Sequence, residues 1–363
     1  MILSFYKKIN FIFFIFLSST ILFILLSIEI FYKDEYIKYT TSRFSERELK
    51  LHLLKNNDVK NIILGPSSST AMSPDVFNYY NLNKNIFQDK NFSQTSNTKS
   101  LNLSFGGGTI KEFYSYVNFS IKENKTKKIV LNLRIQSFKD DFDYKYMPID
   151  FSSSSDDFFL FSKVLEKNFS EIFSSKKIKF IFHKLYFKKK NNEEVLYKNE
   201  IEKEYISKGI RYEPVFLLEN NLKKSEGKNI RNQEINLDEL NINFSKNFKY
   251  LKKIVDLCNT YDVELFIVFD PLAINKLAHM NYSYQKKEIE LLKLILDIYQ
   301  EVYYFNNHNQ INNNLKYFNY DYVHYNYDAA NIILNEVLSG DLKNGIRLSK
   351  ETLNLLESKI LNN

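Results

Sequence analysis

The 363-residue chain is 44% hydrophobic and 26% charged, a balance that excludes wholesale disorder and suits one sizeable core with additions or two modest domains. Its net charge of +7 is spread through mixed-sign stretches apart from runs such as Lys188-Lys189-Lys190, so there is no nucleic-acid footprint. A single cysteine, Cys258, excludes an internal disulfide, and no Cys/His cluster has metal-ligand spacing, so neither a metal nor another cofactor is expected.

The first predicted element is apolar. Phe11 to Ile28 is interrupted only by Ser18, Ser19, Thr20 and Ser27 and approaches the length of about 20 residues that spans a bilayer. Lys7 and Lys8 precede it, which predicts a cytoplasmic N-terminus and a periplasmic or extracellular main domain. A cleaved signal peptide is the rival reading, but the run is long for one and Ile28-Glu29-Ile30-Phe31 offers no small-residue cleavage pattern. Residues 1–32 are therefore read as a single-pass anchor in the cytoplasmic membrane, and the charged, weakly helical residues 33–57 as a stalk.

Strand-like runs follow. Val59 to Leu64 is short and β-branched and stops at Gly65-Pro66. Leu101 to Phe105 ends in Gly106-Gly107-Gly108, and Lys128 to Leu133, Val263 to Phe269 and Val302 to Phe305 complete a set of about five. Helix-length patterns at Ile110 to Glu123, Asn247 to Tyr261 and Tyr284 to Tyr299 separate some of them, and Tyr327 to Leu338 follows the last. This alternation predicts an α/β fold with a mainly parallel sheet covered on both faces, built from residues 58–138 and 246–345. Residues 139–245 lack the alternation and read as a mostly helical insertion, with Phe158 to Phe173 and Lys177 to Phe187 as amphipathic candidates; residues 346–363 read as a C-terminal helix or tail.

Three segments end predicted strands and so belong on one edge of such a sheet, where open α/β folds bind ligands. Ser67 follows the first strand, where it either begins a helix whose free N–H groups stabilise an oxyanion or merely caps it with Ser68 and Ser69. The Gly106 to Gly108 run brings backbone N–H groups close to a substrate or simply makes a tight turn; no P-loop or Gly-x-Gly-x-x-Gly spacing accompanies it. Asp321-Tyr322-Val323-His324 offers a base with an orienting carboxylate three residues away. His52, His183, His279 and His308 lack such a partner at the start of a helix.

In order and predicted context, Gly65-Pro66-Ser67, Asn102-Leu103-Ser104-Phe105-Gly106-Gly107 and Asp321-Tyr322-Val323-His324 resemble the blocks of the SGNH or GDSL hydrolase superfamily. The resemblance covers roughly residues 58–138 and 246–340 and implies a three-layer flavodoxin-like fold. It implies Ser67 as nucleophile, His324 as base and Asp321 as its partner, with Ser67 N–H and Gly107 as oxyanion donors and Gly106 and Asn102 in the same block. Pro66 stands where the family has aspartate, and the third block's Gly-x-Asn-Asp is absent, leaving Arg134 or Gln136 to replace its asparagine donor.

With an anchor, the chain looks like the branch that modifies cell-surface polymers: polysaccharide O-acetyltransferases and D-alanylation proteins. That implies acyl transfer to a surface glycan, with a multispanning membrane acyltransferase as partner. A carbohydrate or lipid acyl esterase and a catalytically silent glycan-binding or assembly subunit are the alternatives.

Overall fold

The computed structural model describes residues 43–77, 99–139, 244–278, 282–319 and 321–361, with isolated positions at 14–16, 18–20, 23, 208 and 242. The chain divides into two compact units, Met1–His52 with Asp143–Glu200, and Leu53–Phe142 with Ile201–Asn363. Nearly all of the first lies outside the described residues. The candidate site belongs wholly to the second.

A helix, α1 (Arg43–Lys55), leads into a sheet of six strands. In chain order these are β1 (Val59–Leu64), β2 (Lys99–Asn102), β3 (Lys128–Leu133), β4 (Glu264–Phe269), β5 (Val302–Tyr304) and β6 (Ile346–Leu348). They lie in the order β2-β1-β3-β4-β5-β6, parallel except for the β5–β6 pair. The first five follow the flavodoxin-like order, in which the chain winds one way from β1 and then the other. Ligands of such sheets bind beside the carboxyl end of β1, where that reversal opens a crevice.

The strands read as near-continuous apolar runs because both faces are covered. On one face Ile63, Val130, Val268, Tyr303 and Phe305 pack with Ala329, Ala330, Ile333 and Leu334 of the helix Tyr327–Ser339. On the other, Ile110–Asn124 (α2) packs against β1, Phe244–Thr260 (α3) against β4, and Tyr282–Ile298 against β5. Burying each such Ile, Leu or Phe contributes about 1.5–3 kcal/mol, which makes this layered core the main stabilising element.

The sheet has six strands rather than about five, and its last strand comes from the segment read as a helix or tail. Gly340, at φ 72°, ends the preceding helix, and the Glu336 carboxylate gathers the N–H groups of Lys343, Asn344 and Gly345. This turns the chain back so that Ile346, Arg347 and Leu348 pair with Tyr304, Tyr303 and Val302. A three-residue strand with an arginine at its centre has too short an apolar pattern to register in sequence. The helix Lys350–Leu361 then packs against Tyr282–Ile298.

The predicted insertion helices lie outside the described residues, but its base is defined. Lys139 and Ile242 form an antiparallel bridge, and Asn247 Nδ2 donates to the carbonyls of Phe138 at 2.9 Å and Lys139 at 3.2 Å. At the outer strand, Asn102 N–H donates to the Lys208 carbonyl at 3.1 Å, while Lys208 Nζ pairs with Asp75 at 2.7 Å.

Among the described residues no helix is long and apolar enough to cross a membrane. Most of the predicted anchor falls outside them, and the few positions described, such as Phe14–Phe16 and Phe23, are helical and exposed.

Candidate active site

Gly65 ends β1 where no side chain fits: a Cβ there would lie 2.4 Å from Ser69 Oγ and 2.7 Å from Asn132 Cβ. Its absence lets the chain fold at once into the 3-10 turn Ser67–Ala71. Pro66 precedes that turn with φ −69° and accepts from Ser69 N–H at 3.0 Å, so a residue with a fixed φ and no donor suits the position. Asn102 braces the turn from β2, its Nδ2 donating to the Ser69 and Met72 carbonyls at 2.8 Å each and its Oδ1 accepting from Ser104 N–H.

The three consecutive serines face different ways. Ser68 and Ser69 are buried, and both hydroxyls donate to Asp270 Oδ2, at 2.6 and 3.0 Å. Ser67 is half-buried, and its Oγ lies 2.6 Å from His324 Nε2.

His324 stands on a tight loop closed by an antiparallel bridge between Phe318 and Tyr325 and by Asn319 N–H donating to the His324 carbonyl at 2.7 Å. Asp321 Oδ1 accepts the N–H groups of Val323 and His324, each at 3.0 Å, and its Oδ2 accepts from His324 Nδ1. A carboxylate only accepts, so the ring proton belongs on Nδ1, and Nε2 is left to accept from Ser67. Burial pushes the Asp321 pKa up, but the His324 ring and those two N–H groups outweigh it and hold the group below the ordinary carboxylate value. Asp321 is therefore the anionic member of a Ser67–His324–Asp321 chain.

The loop is fastened from behind. Arg134, 8% exposed, donates through Nη2 to the carbonyls of Val323 at 2.9 Å and Pro271 at 3.2 Å, and Ala273 N–H donates to Tyr322 O at 3.1 Å. Tyr322 itself sits at φ 59°, a left-handed conformation uncommon for a non-glycine residue. Tyr325 OH donates to Asp270 Oδ1 at 2.8 Å. Burial, then the Asp270 charge, pushes that phenol well above its ordinary pKa, so it remains a donor.

The other expected contact residues divide. Phe105 N–H donates to Gly65 O at 3.1 Å, which sets the glycine run beside the nucleophile turn. Gly108 N–H donates to Phe105 O, and Gly107, at φ 66°, occupies the third position of that turn, where a type II turn requires positive φ. Gly107 is exposed and Gly106 half-buried, so their backbone is accessible. Gly108 is buried, and a Cβ there would strike Phe113 at 2.6 Å.

Asn102 holds carbonyls of the nucleophile turn, and Arg134 holds carbonyls of the base loop and of Pro271. Gln136 directs Nε2 toward Tyr284 OH at 3.5 Å, and its buried Oε1 has no hydrogen-bond partner among the described residues. Behind them Glu288 is buried, accepting from Tyr304 OH at 2.7 Å; desolvation raises its pKa, opposed by Tyr304, Asn306 and Arg134.

Asp270, Ser68, Ser69 and Tyr325 were absent from the sequence-derived site. Asp270 carried one signal: a carboxylate ending an apolar strand just before Pro271 must be buried, and a buried carboxylate needs donors. The lone Cys258 is no rival nucleophile, since burial pushes its thiol pKa up to about 12. Among the described residues no group of three His, Cys, Asp or Glu side chains forms a metal site.

Fold and site together define an α/β protein with a hydrogen-bonded serine, histidine and aspartate at the carboxyl edge of a mostly parallel sheet. The chain matches no family model and no curated protein.

Proposed function

We propose that this chain is an SGNH-type serine acyltransferase that O-acylates a cell-surface polysaccharide. The observation that carries the reading is the 2.6 Å contact between Ser67 Oγ and His324 Nε2, with His324 Nδ1 held by Asp321. A serine hydroxyl is activated by a base in reach, and the base by a group that fixes its tautomer.

In the proposed cycle Ser67 Oγ attacks the carbonyl of an acyl donor while its proton passes to His324 Nε2. The oxyanion is stabilised by N–H groups of the Ser67 turn and of Gly106-Gly107. Collapse expels the donor's leaving group, which takes the proton from His324 and leaves acyl-Ser67. A sugar hydroxyl then attacks, gives its proton to His324, and forms the new ester as Ser67 Oγ recovers that proton. Asp321 holds the imidazole and offsets its charge while protonated.

Transfer rather than hydrolysis is favoured by the apolar run Phe11 to Ile28, which would tether the domain beside a membrane-borne acyl donor supplied by a multispanning acyltransferase. Neither a cofactor nor a nucleic acid enters the cycle. The test is acyl transfer from an activated ester to an oligosaccharide, measured against release to water, in wild type and Ser67→Ala. Transfer exceeding release and absent from the variant supports the reading; release alone makes the chain an esterase, and activity equal in both removes the serine mechanism.

A further inference from the structure

Two segments must meet for Ser67 to reach His324, and both end on one carboxylate. Asp270, at the end of β4, is 1% exposed. Its Oδ2 accepts from Ser68 and Ser69, the two residues that follow Ser67. Its Oδ1 accepts from Tyr325, the residue that follows His324. Arg134 Nε lies 3.7 Å from Oδ2, and the same guanidinium holds the carbonyl of Val323, the residue before His324, at 2.9 Å. The histidine is thus fastened on both sides in sequence, and the nucleophile turn is tied to the same group.

A buried charge is costly unless paired and hydrogen-bonded; here the three hydroxyl donors come from the two segments the chemistry must align, and the arginine, just past β3, holds the backbone of one of them. A carboxylate needed only for packing would have no reason to draw its partners from both loops at once. We infer that Asp270, with Arg134, is a positioning pair that sets the register between the Ser67 turn and the His324 loop. This rests on the serine reading above for its catalytic meaning, but not for its structural content.

The geometry makes a distinct claim about Asp270→Asn. The replacement keeps the shape and removes the charge, so Arg134 loses its counter-ion and one amide must serve two serines and a phenol. The nucleophile turn and the base loop are then free to part by about 1 Å, a misplacement that costs on the order of 100-fold in rate.

The test uses the full chain with ¹⁵N-labelled histidine. It follows the His324 Nδ1 proton resonance, assigned with a His324→Gln variant, together with the rate of fluorophosphonate labelling and a thermal melt. We expect folded Asp270→Asn to label roughly 100-fold more slowly and to lose or broaden that resonance. An unchanged resonance in folded Asp270→Asn would overturn the proposal, because a purely structural carboxylate lowers the melting temperature without moving the His324 proton.

If Asp270→Asn does not fold, Tyr325→Phe and the pair Ser68→Ala, Ser69→Ala remove the two halves of the connection separately, and the same comparison of resonances decides. If wild type itself does not label, the serine reading fails while the resonance still judges Asp270.

Discussion

The carboxylate of Asp321 takes the His324 N–H on Oδ1 at 3.0 Å and the imidazole Nδ1–H on Oδ2. One residue thereby sets both the backbone position and the tautomer of another three residues away. Asp321→Asn presents an amide that can donate to Nδ1 and favour the wrong tautomer. In a serine protease triad the equivalent change costs about 10⁴-fold, and a loss of roughly 10³–10⁴-fold in labelling rate is expected here. Stopped-flow labelling at neutral pH measures it.

The same pair has a pH dependence of definite sign. Asp321 is held below the ordinary carboxylate value, so its stabilisation is fully present above about pH 3.9, the value of an unfolded aspartate. It is lost as pH falls through the lower folded value. Wild type is therefore expected to lose melting temperature on acidification below that point more steeply than Asp321→Asn, in scanning calorimetry from pH 6 downward.

Glu288 works in the opposite direction. Desolvation raises its pKa, so the folded state holds the proton more tightly than the unfolded chain. Its penalty grows as pH rises from the unfolded value, about 4.3, through the folded one. Glu288→Gln removes the ionisation and keeps an acceptor for Tyr304 OH. A melting temperature higher by a few degrees is expected at pH 8, and no gain at pH 4.

How much of this was legible beforehand depends on the reach of the pattern. Apolar runs mark β1, β3 and β4 within a residue, because strands buried on both faces cannot hide their composition. Ser67, Asp321 and His324 were legible for a related reason, each lying near a turn that ends or follows an element. The supports were not. Asn102 and Arg134 are polar residues at strand ends, where composition says that a donor is present but not whether it points toward a substrate or toward a neighbouring carbonyl. Asp270 meets partners 202 and 55 residues away, and no local period encodes such contacts. The sixth strand was lost because its pairing depends on Glu336 gathering a loop seven to nine residues later.

Gly65 gives a packing test of the nucleophile turn. Gly65→Ala places its Cβ 2.4 Å from Ser69 Oγ and 2.7 Å from Asn132 Cβ, so the turn must move. Overpacking of this kind costs about 1–3 kcal/mol. Chemical denaturation is expected to register that loss, and labelling of the folded variant to slow as Ser67 is displaced from His324.

The most direct measurement is the site of covalent modification. The full chain is treated with a fluorophosphonate, digested and sequenced by mass spectrometry, beside Ser67→Ala and His324→Ala. The expected adduct falls on Ser67 alone, is absent from the first variant and falls by orders of magnitude in the second. An adduct on Ser68 or Ser69, or labelling that persists without His324, would contradict a nucleophile built from Ser67, His324 and Asp321.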